Sequence, residues 1–186
     1  WARDVYKRQH YDYAKGNPIC AYDPTGLKIA VLIGAPISTN PFGHVAIATT
    51  GRGVISFGTE TPLGSSMTEY LKNQANYRNT IIFIINTTEE QENVIQDYLN
   101  KFKPTLPPVP SFDSQDNCAR RTNGALAAAG MTDPSSPFNS LLSIFGIYSP
   151  LPEATYSIGM FYSGGNSVVV PKGTTFLPFY LRSFNP

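Results

Sequence analysis

Cys118 and His44 are the residues of this sequence whose types could perform covalent chemistry. The chain has two cysteines and two histidines. Cys20 and His10 fall within residues 1–27, which we assign below to separate segments. The remaining chain holds one cysteine and one histidine, so a cysteine nucleophile with an imidazole base would have to be this pair. The alternative is that Cys118 is a small buried residue on an amphipathic helix, a common environment for cysteine.

The residues around Cys118 predict a helix that begins next to it. Asp116 or Asn117 is a suitable N-cap, because its side-chain oxygen can accept the unpaired N–H groups of the first turn. The Ala-Leu-Ala-Ala-Ala run at 125–129 favours helix, and Gly130 predicts its end. Cys118 would then lie at the positive end of the helix dipole. We expect this position to lower the pKa of the thiol and to stabilise the reactive thiolate.

His44 lies near the start of a predicted β-hairpin. Residues 41–50 form the first arm, residues 51–53 (Gly-Arg-Gly) the turn, and residues 54–58 the second arm. In this position His44 could act as the base for Cys118, and we expect Gly43 to leave room for a substrate. The alternative is a half-buried strand residue that bonds a neighbouring carbonyl.

The other predicted elements are short strands and helices. Ser65 and Ser66 precede a short helix, and the Thr-Thr-Glu-Glu-Gln sequence at 87–91 opens another with capping-box spacing. A third helix is predicted over 137–147, after a proline-rich connector at 103–110. Strands are predicted at 28–34, 80–85 (as a central strand), 167–170 and 175–177.

The first 27 residues differ in character from the rest. Residues 1–9 match nothing downstream and read as a non-native segment, which we exclude from the fold. Residues 10–27 resemble the last repeat of the Rhs (YD-repeat) core, with a proline at 18 and Asp-Pro-Thr-Gly-Leu at 23–27. The resemblance implies a processing boundary marked by Asp23, with cleavage after Leu27, and a C-terminal toxin domain over residues 28–186.

Two motifs of the C-terminal domain resemble the circularly permuted NlpC-type branch of the papain-like superfamily, which includes the lecithin–retinol acyltransferase group. They are Gly-His-Val-Ala-Ile at 43–47, followed by Gly-Val-Ile-Ser-Phe-Gly at 53–58, and Asn-Cys-Ala at 117–119. The resemblance implies an α+β fold in which an antiparallel sheet packs against helices. It also implies that Cys118 is the nucleophile and His44 the base, with a backbone N–H group beside Asn117 stabilising the oxyanion.

A third group usually orients the base in such sites. In the acyltransferase group a second histidine follows the first by twelve positions, and Ser56 occupies that position here. Ser56 could accept a hydrogen bond from the imidazole, while Thr59 and Glu60 are nearby alternatives. The departure from histidine favours hydrolysis over acyl transfer.

The expected function is that of a toxin domain with a Cys-His thiol hydrolase site. It would be released from an Rhs shell and delivered into a competing cell, in the periplasm or the cytoplasm. The resemblance points to amide bonds, with peptidoglycan stem peptides as the first substrate. The alternatives are an acyltransferase or lipase, a protease or deamidase with the same pair, and a binding toxin without catalysis. A cognate immunity protein is the expected partner.

Composition excludes several other classes of function. The net charge of +1 leaves no electrostatic footprint for nucleic acid, and no run of 18 apolar residues predicts a transmembrane helix. We expect no metal and no cofactor, because one histidine and scattered carboxylates do not give a zinc-ligand spacing. Arg120 and Arg121 could guide an anionic substrate, although exposed helix arginines seldom do so.

Overall fold

The computed structural model describes residues 26–59, 61–102, 117–133 and 152–186. These residues form an α+β fold with a five-stranded antiparallel sheet and helices on both faces. The strands are β1 (Lys28–Gly34), β2 (His44–Thr49), β3 (Gly53–Ile55), β4 (Thr80–Asn86) and β5 (Ser167–Val170). The helices are α1 (Met67–Ala75), α2 (Glu89–Asn100), α3 (Cys118–Ala128) and α4 (Pro152–Tyr162), followed by a 3₁₀ helix (Phe179–Phe184).

The first strand lies at the centre of the sheet, whose order is β3-β2-β1-β4-β5. β1 is apolar on both faces because helices cover both of them. Its last residue, Gly34, is paired with His44 of β2 on one side and with Thr80 of β4 on the other. The sequence placed the centre at β4, which is instead the neighbour of the central strand.

The two faces of β1 belong to different layers. Ile29 and Val31 pack with residues of α2, α3 and α4, whereas Ala30 and Leu32 pack with α1 and the 3₁₀ helix. Since side chains alternate along a strand, His44 is on the same face as Ala46, toward α1. Helix α3, which begins with Cys118, lies in the opposite layer.

Helix starts agree with the caps predicted from the sequence. The Ser66 side chain accepts from Glu69 N at the start of α1. Thr88 and Gln91 form the predicted capping box of α2. Asn117, rather than Asp116, is the N-cap of α3, and Gly130 follows that helix with a φ of 81°.

The late part of the chain departs from the predictions. The strand expected at 175–177 is wrong, because that stretch is irregular and leads into the 3₁₀ helix. The Phe176 side chain is mostly exposed there, so its apolar character did not report a buried strand. Helix α4 was not predicted from the sequence. β3 ends at Ile55, earlier than expected, and this shortening matters for the site.

Several predictions concern residues outside the described part of the chain. They are the segment over 1–9, the Rhs-like residues 10–25 with Asp23, the connector at 103–110 and the helix at 137–147. Within the described ranges, no helix has both the length and the hydrophobicity needed to cross a membrane.

Candidate active site

The candidate site lies at the end of the sheet where β1 stops and β2 starts. Gly43 has a φ of 82°, and a Cβ there would lie 2.6 Å from the Gly34 carbonyl oxygen. The glycine is therefore required by the backbone, and the expectation that it leaves room for a substrate is wrong. Immediately after this close approach, His44 begins β2 in the interior of the protein, where it is 4% exposed.

His44 and Ser56 are brought together as expected. The Nε2 atom of His44 lies 2.7 Å from the Ser56 Oγ atom, and both residues are buried. Thr59 Oγ1 donates to the same Ser56 oxygen over 3.1 Å, so Thr59 contacts the serine. Glu60, the other alternative for the third group, lies outside the described residues.

Tyr70 extends this hydrogen-bonded group into helix α1. Burial raises the pKa of its phenol, while a hydrogen bond with Ser56 acts in the opposite direction. Tyr70 was missed from the sequence because it reads as one apolar residue on the buried face of a short helix. Its hydroxyl nevertheless needs a partner in the interior, and Ser56 provides one.

Cys118 is the first residue of α3, as the sequence predicted. Asn117 caps the helix, with its Oδ1 accepting from Arg120 N over 2.9 Å. The backbone N–H groups at this helix start, those of Cys118 and Ala119, act to lower the pKa of the thiol. The backbone N–H of Val45, the residue that follows His44, acts in the same direction and therefore lies near the sulfur. This last contact connects the cysteine helix to the histidine strand.

The thiol and the imidazole are presented by opposite layers at the end of the sheet. Cys118 packs against the core beneath α2 and α3, whereas His44 faces Ser56 and α1. Because β3 ends at Ile55, which is paired with Ile47, no residue of β3 is paired with Val45 of β2. The sulfur lies near Val45 at this position. The early end of β3 therefore leaves the Val45 N–H group to the thiol.

Burial sets the protonation of both residues. It lowers the pKa of His44 to about 3, with the nearby Arg78 charge acting in the same direction. It raises the pKa of Cys118, outweighing the N–H groups and Arg78, which act to lower it. The expectation of a lowered thiol pKa is therefore wrong, because it considered the helix dipole and omitted desolvation. At neutral pH the pair rests as a thiol and a neutral imidazole.

Arg78 is the charged residue of the site that the sequence did not single out. Its charge lies close enough to lower the pKa of both His44 and Cys118. It follows α1 and precedes β4, in a stretch that reads as an ordinary polar connection. A single arginine before an apolar strand carries no recognisable signal, so only the fold identifies it.

The two arginines that the sequence did consider take no such position. Arg121 is 2% exposed and lies between two aromatic rings, 4.5 Å from the Phe57 centroid and 4.6 Å from that of Phe102. It packs the core rather than facing a substrate. Arg120 is half-buried, and its backbone N–H supports the Asn117 cap.

An apolar groove begins at the same end of the sheet. Its volume is about 540 Å³, and it runs along Gly34 and Ala35 toward the start of α4. Its lining is mainly apolar, with Ile33, Pro36, Phe42, Ile81, Pro152, Tyr156 and Val169 together with Asn79, Glu153 and Ser157. A volume of this size suits a small ligand or one side group of a larger one.

Within the described ranges, no group of three or more histidine, cysteine, aspartate or glutamate side chains could hold a metal ion. Comparison with known proteins gave no match to a family model, to a curated protein or to a solved structure. The chemistry of the site must therefore be argued from its own residues.

Proposed function

We propose that residues 28–186 form a papain-like cysteine hydrolase domain that cleaves an amide bond. One observation carries this proposal. The Cys118 thiol lies at a helix start, where the Val45 N–H acts to lower its pKa, and Val45 follows the histidine whose Nε2 lies 2.7 Å from the Ser56 Oγ atom. Thiol hydrolysis needs a nucleophile, a base and a third group that orients the base, and Cys118, His44 and Ser56 are the residues that would supply them.

The hydrogen bonds of Ser56 support a specific tautomer of His44. If Nε2–H donates to Ser56, the serine hydrogen is available for the Tyr70 oxygen, which agrees with the bond that lowers the pKa of Tyr70. The Nδ1 atom of His44 is then unprotonated and can accept a proton. Base catalysis by His44 requires this tautomer.

The proposed reaction proceeds in two steps. His44 takes the thiol proton as Cys118 attacks the carbonyl carbon, and the imidazolium then protonates the leaving amine. Water hydrolyses the resulting thioester with the same imidazole as its base. The N–H groups that act to lower the thiol pKa belong to Val45, Cys118 and Ala119, and groups of this kind stabilise an oxyanion.

The biological setting that we propose follows from the Rhs-like residues ahead of Lys28. The domain would be a toxin that is cut from an Rhs shell after Leu27 and neutralised in the producing cell by an immunity protein. Peptidoglycan stem peptides are the first substrate to test. This part of the proposal depends on resemblance and not on any residue of the site.

A second candidate is hydrolysis or transfer of an acyl group of a lipid by the same pair. The observation that favours it is the apolar groove, which begins at Gly34, the residue paired with His44. An acyl chain would bury apolar surface along Ile33, Ile81 and the start of α4.

Expression of the full chain in a bacterium tests these functions. The chain is produced in the cytoplasm or, with an export signal, in the periplasm, and each form is compared with Cys118→Ala and Cys20→Ala. Lysis from the periplasm, with new amine termini in the digested wall, supports cleavage of peptidoglycan. Killing with released fatty acid supports the acyl reaction instead. Cys20→Ala should kill as the wild type does, and killing by Cys118→Ala would rule out the thiol mechanism.

A further inference from the structure

The Arg78 side chain is held in one place by the end of β1. It lies across Gly34, where an added Cβ would come within 2.5 Å of the Arg78 Cδ atom. Its Nη1 atom donates to the Ala35 carbonyl oxygen over 3.3 Å. The glycine therefore provides the space that the arginine stem occupies.

The charge of Arg78 is not neutralised by the described part of the protein. Its Nε atom is buried without a hydrogen-bond partner, and no carboxylate among the described residues pairs with the guanidinium. Burial lowers the pKa of Arg78, which shows that its charge has lost part of its hydration. A guanidinium that is partly dehydrated and has no carboxylate partner is suited to bind a carboxylate, because the two groups match in charge and planar geometry.

The Arg78 side chain is near both the thiol and the groove. Its charge acts on Cys118 and His44, and its stem contacts Gly34, which lines the groove. Asn79, the next residue in the chain, is also part of the groove lining. A ligand that reaches the thiol therefore meets a cation and an apolar surface together.

We infer that Arg78 binds a carboxylate of the substrate close to the scissile bond, while the groove takes an adjoining apolar group. The substrate class would be amides of carboxylate-bearing residues. That the bound carboxylate belongs to a substrate depends on the proposed hydrolase, whereas binding of an anion beside Cys118 does not. The experiment below measures the anion directly.

Alkylation of Cys118 by two matched reagents tests this inference. Iodoacetate carries a carboxylate and iodoacetamide is its neutral counterpart. With either reagent the sulfur forms a bond to the CH₂ carbon, iodide leaves, and the thiol proton passes to a base. Both reactions use the same thiolate, so the ratio of their rate constants cancels changes in thiol pKa and reports only attraction of the anion.

The measurements use the full chain with Cys20→Ser, so that Cys118 is its one cysteine, and glutathione as the reference thiol. We expect the iodoacetate to iodoacetamide ratio of the protein to exceed that of glutathione about tenfold, as for one charge-assisted hydrogen bond. Arg78→Met keeps the stem and should remove the preference, whereas Arg78→Lys should retain part of it. Arg52→Met, which removes an exposed guanidinium bonded to Asn93, should change nothing.

Two further measurements guard against misfolding of Arg78→Met. Gly34→Ala should reduce the preference by displacing the arginine stem, and added salt should reduce it in the wild type by screening. Three results would each overturn the inference. The wild-type ratio could equal that of glutathione, or the ratio could be unaffected both by salt and by the folded Arg78 variant. The third result is a native thiol that neither reagent alkylates. If the preference is found but the chain cleaves no amide, the anion site stands and the hydrolase proposal fails.

Discussion

The Nε2 atom of His44 and the Oγ atom of Ser56 lie 2.7 Å apart within the core, and the Thr59 and Tyr70 hydroxyls also bond the serine. A buried hydroxyl with several partners restricts the position of the imidazole. Under the proposed mechanism Ser56 would be the orienting group, although it carries no charge.

Removing the Ser56 hydroxyl should slow the chemistry of Cys118. We expect Ser56→Ala to lower the rate of iodoacetamide alkylation about fivefold, because one hydrogen bond that orients His44 is lost. The rate is measured in the chain whose one cysteine is Cys118. Ser65→Ala is the matched control, since the Ser65 hydroxyl bonds the Pro62 carbonyl oxygen at the exposed surface. An equal effect of the two substitutions would contradict an orienting role for Ser56.

The resting thiol should titrate at high pH. Because burial raises the pKa of Cys118 above its ordinary value of 9.0, we expect the alkylation rate to rise with pH from about pH 6 to about pH 10. A thiolate–imidazolium pair would instead give a plateau that begins at acid pH. Such a plateau, measured with iodoacetamide and absent from glutathione, would show that the resting pair is ionised.

The neutral His44 should make the fold less stable in acid. Its pKa falls from 6.5 to about 3 on folding. As the pH drops below 6.5, the unfolded chain binds a proton that the native chain does not, so stability falls by up to about 1.4 kcal/mol per pH unit. The loss extends down to the folded pKa near 3.

The matched variant for this prediction is His44→Gln, which keeps a polar side chain but does not titrate. Urea unfolding at a series of pH values should give a flatter curve for the variant, while carboxylates contribute equally to both chains. Parallel curves for the two proteins would show that folding does not lower the pKa of His44.

Glu92 should matter for stability rather than for chemistry. This buried carboxylate accepts from the Thr50 and Thr87 hydroxyls, each over 3.1 Å, and connects α2 to the far end of the sheet. We expect Glu92→Leu to lower the free energy of unfolding by about 1–3 kcal/mol, and Glu92→Gln by less, because an amide oxygen still accepts. Glu90→Leu, at an exposed position, is the control in urea unfolding.

The parts of the fold that local rules govern could be predicted from the sequence. Caps at Ser66, Thr88 and Asn117 depend on a few neighbouring residues, so the helix starts were predicted correctly. The positions of Cys118 at a helix start and of His44 on a hairpin arm follow from the same rules. Their relative placement does not, since it depends on the pairing of distant strands and on the layer that α3 occupies.

What the sequence did not predict depends on distant neighbours. Arg78 matters because its stem lies over Gly34, forty-four residues earlier in the chain. Arg121 was expected to be an exposed arginine, but the rings of Phe57 and Phe102, which are far apart in the sequence, cover it. The thiol pKa followed burial rather than the helix dipole, and burial depends on the whole fold.

The central position of β1 has a mechanical consequence. The chain enters the domain at Leu27 and Lys28, where the Leu27 carbonyl accepts from Thr87 N and Lys28 N donates to the Thr50 hydroxyl. A force applied to the chain ahead of Lys28 is carried by a strand that is bonded on both sides, and six residues later that strand ends under Arg78. Pulling β1 out would open two ladders together and dismantle the site. Cutting the chain after Leu27 would remove such a load and leave every strand in place.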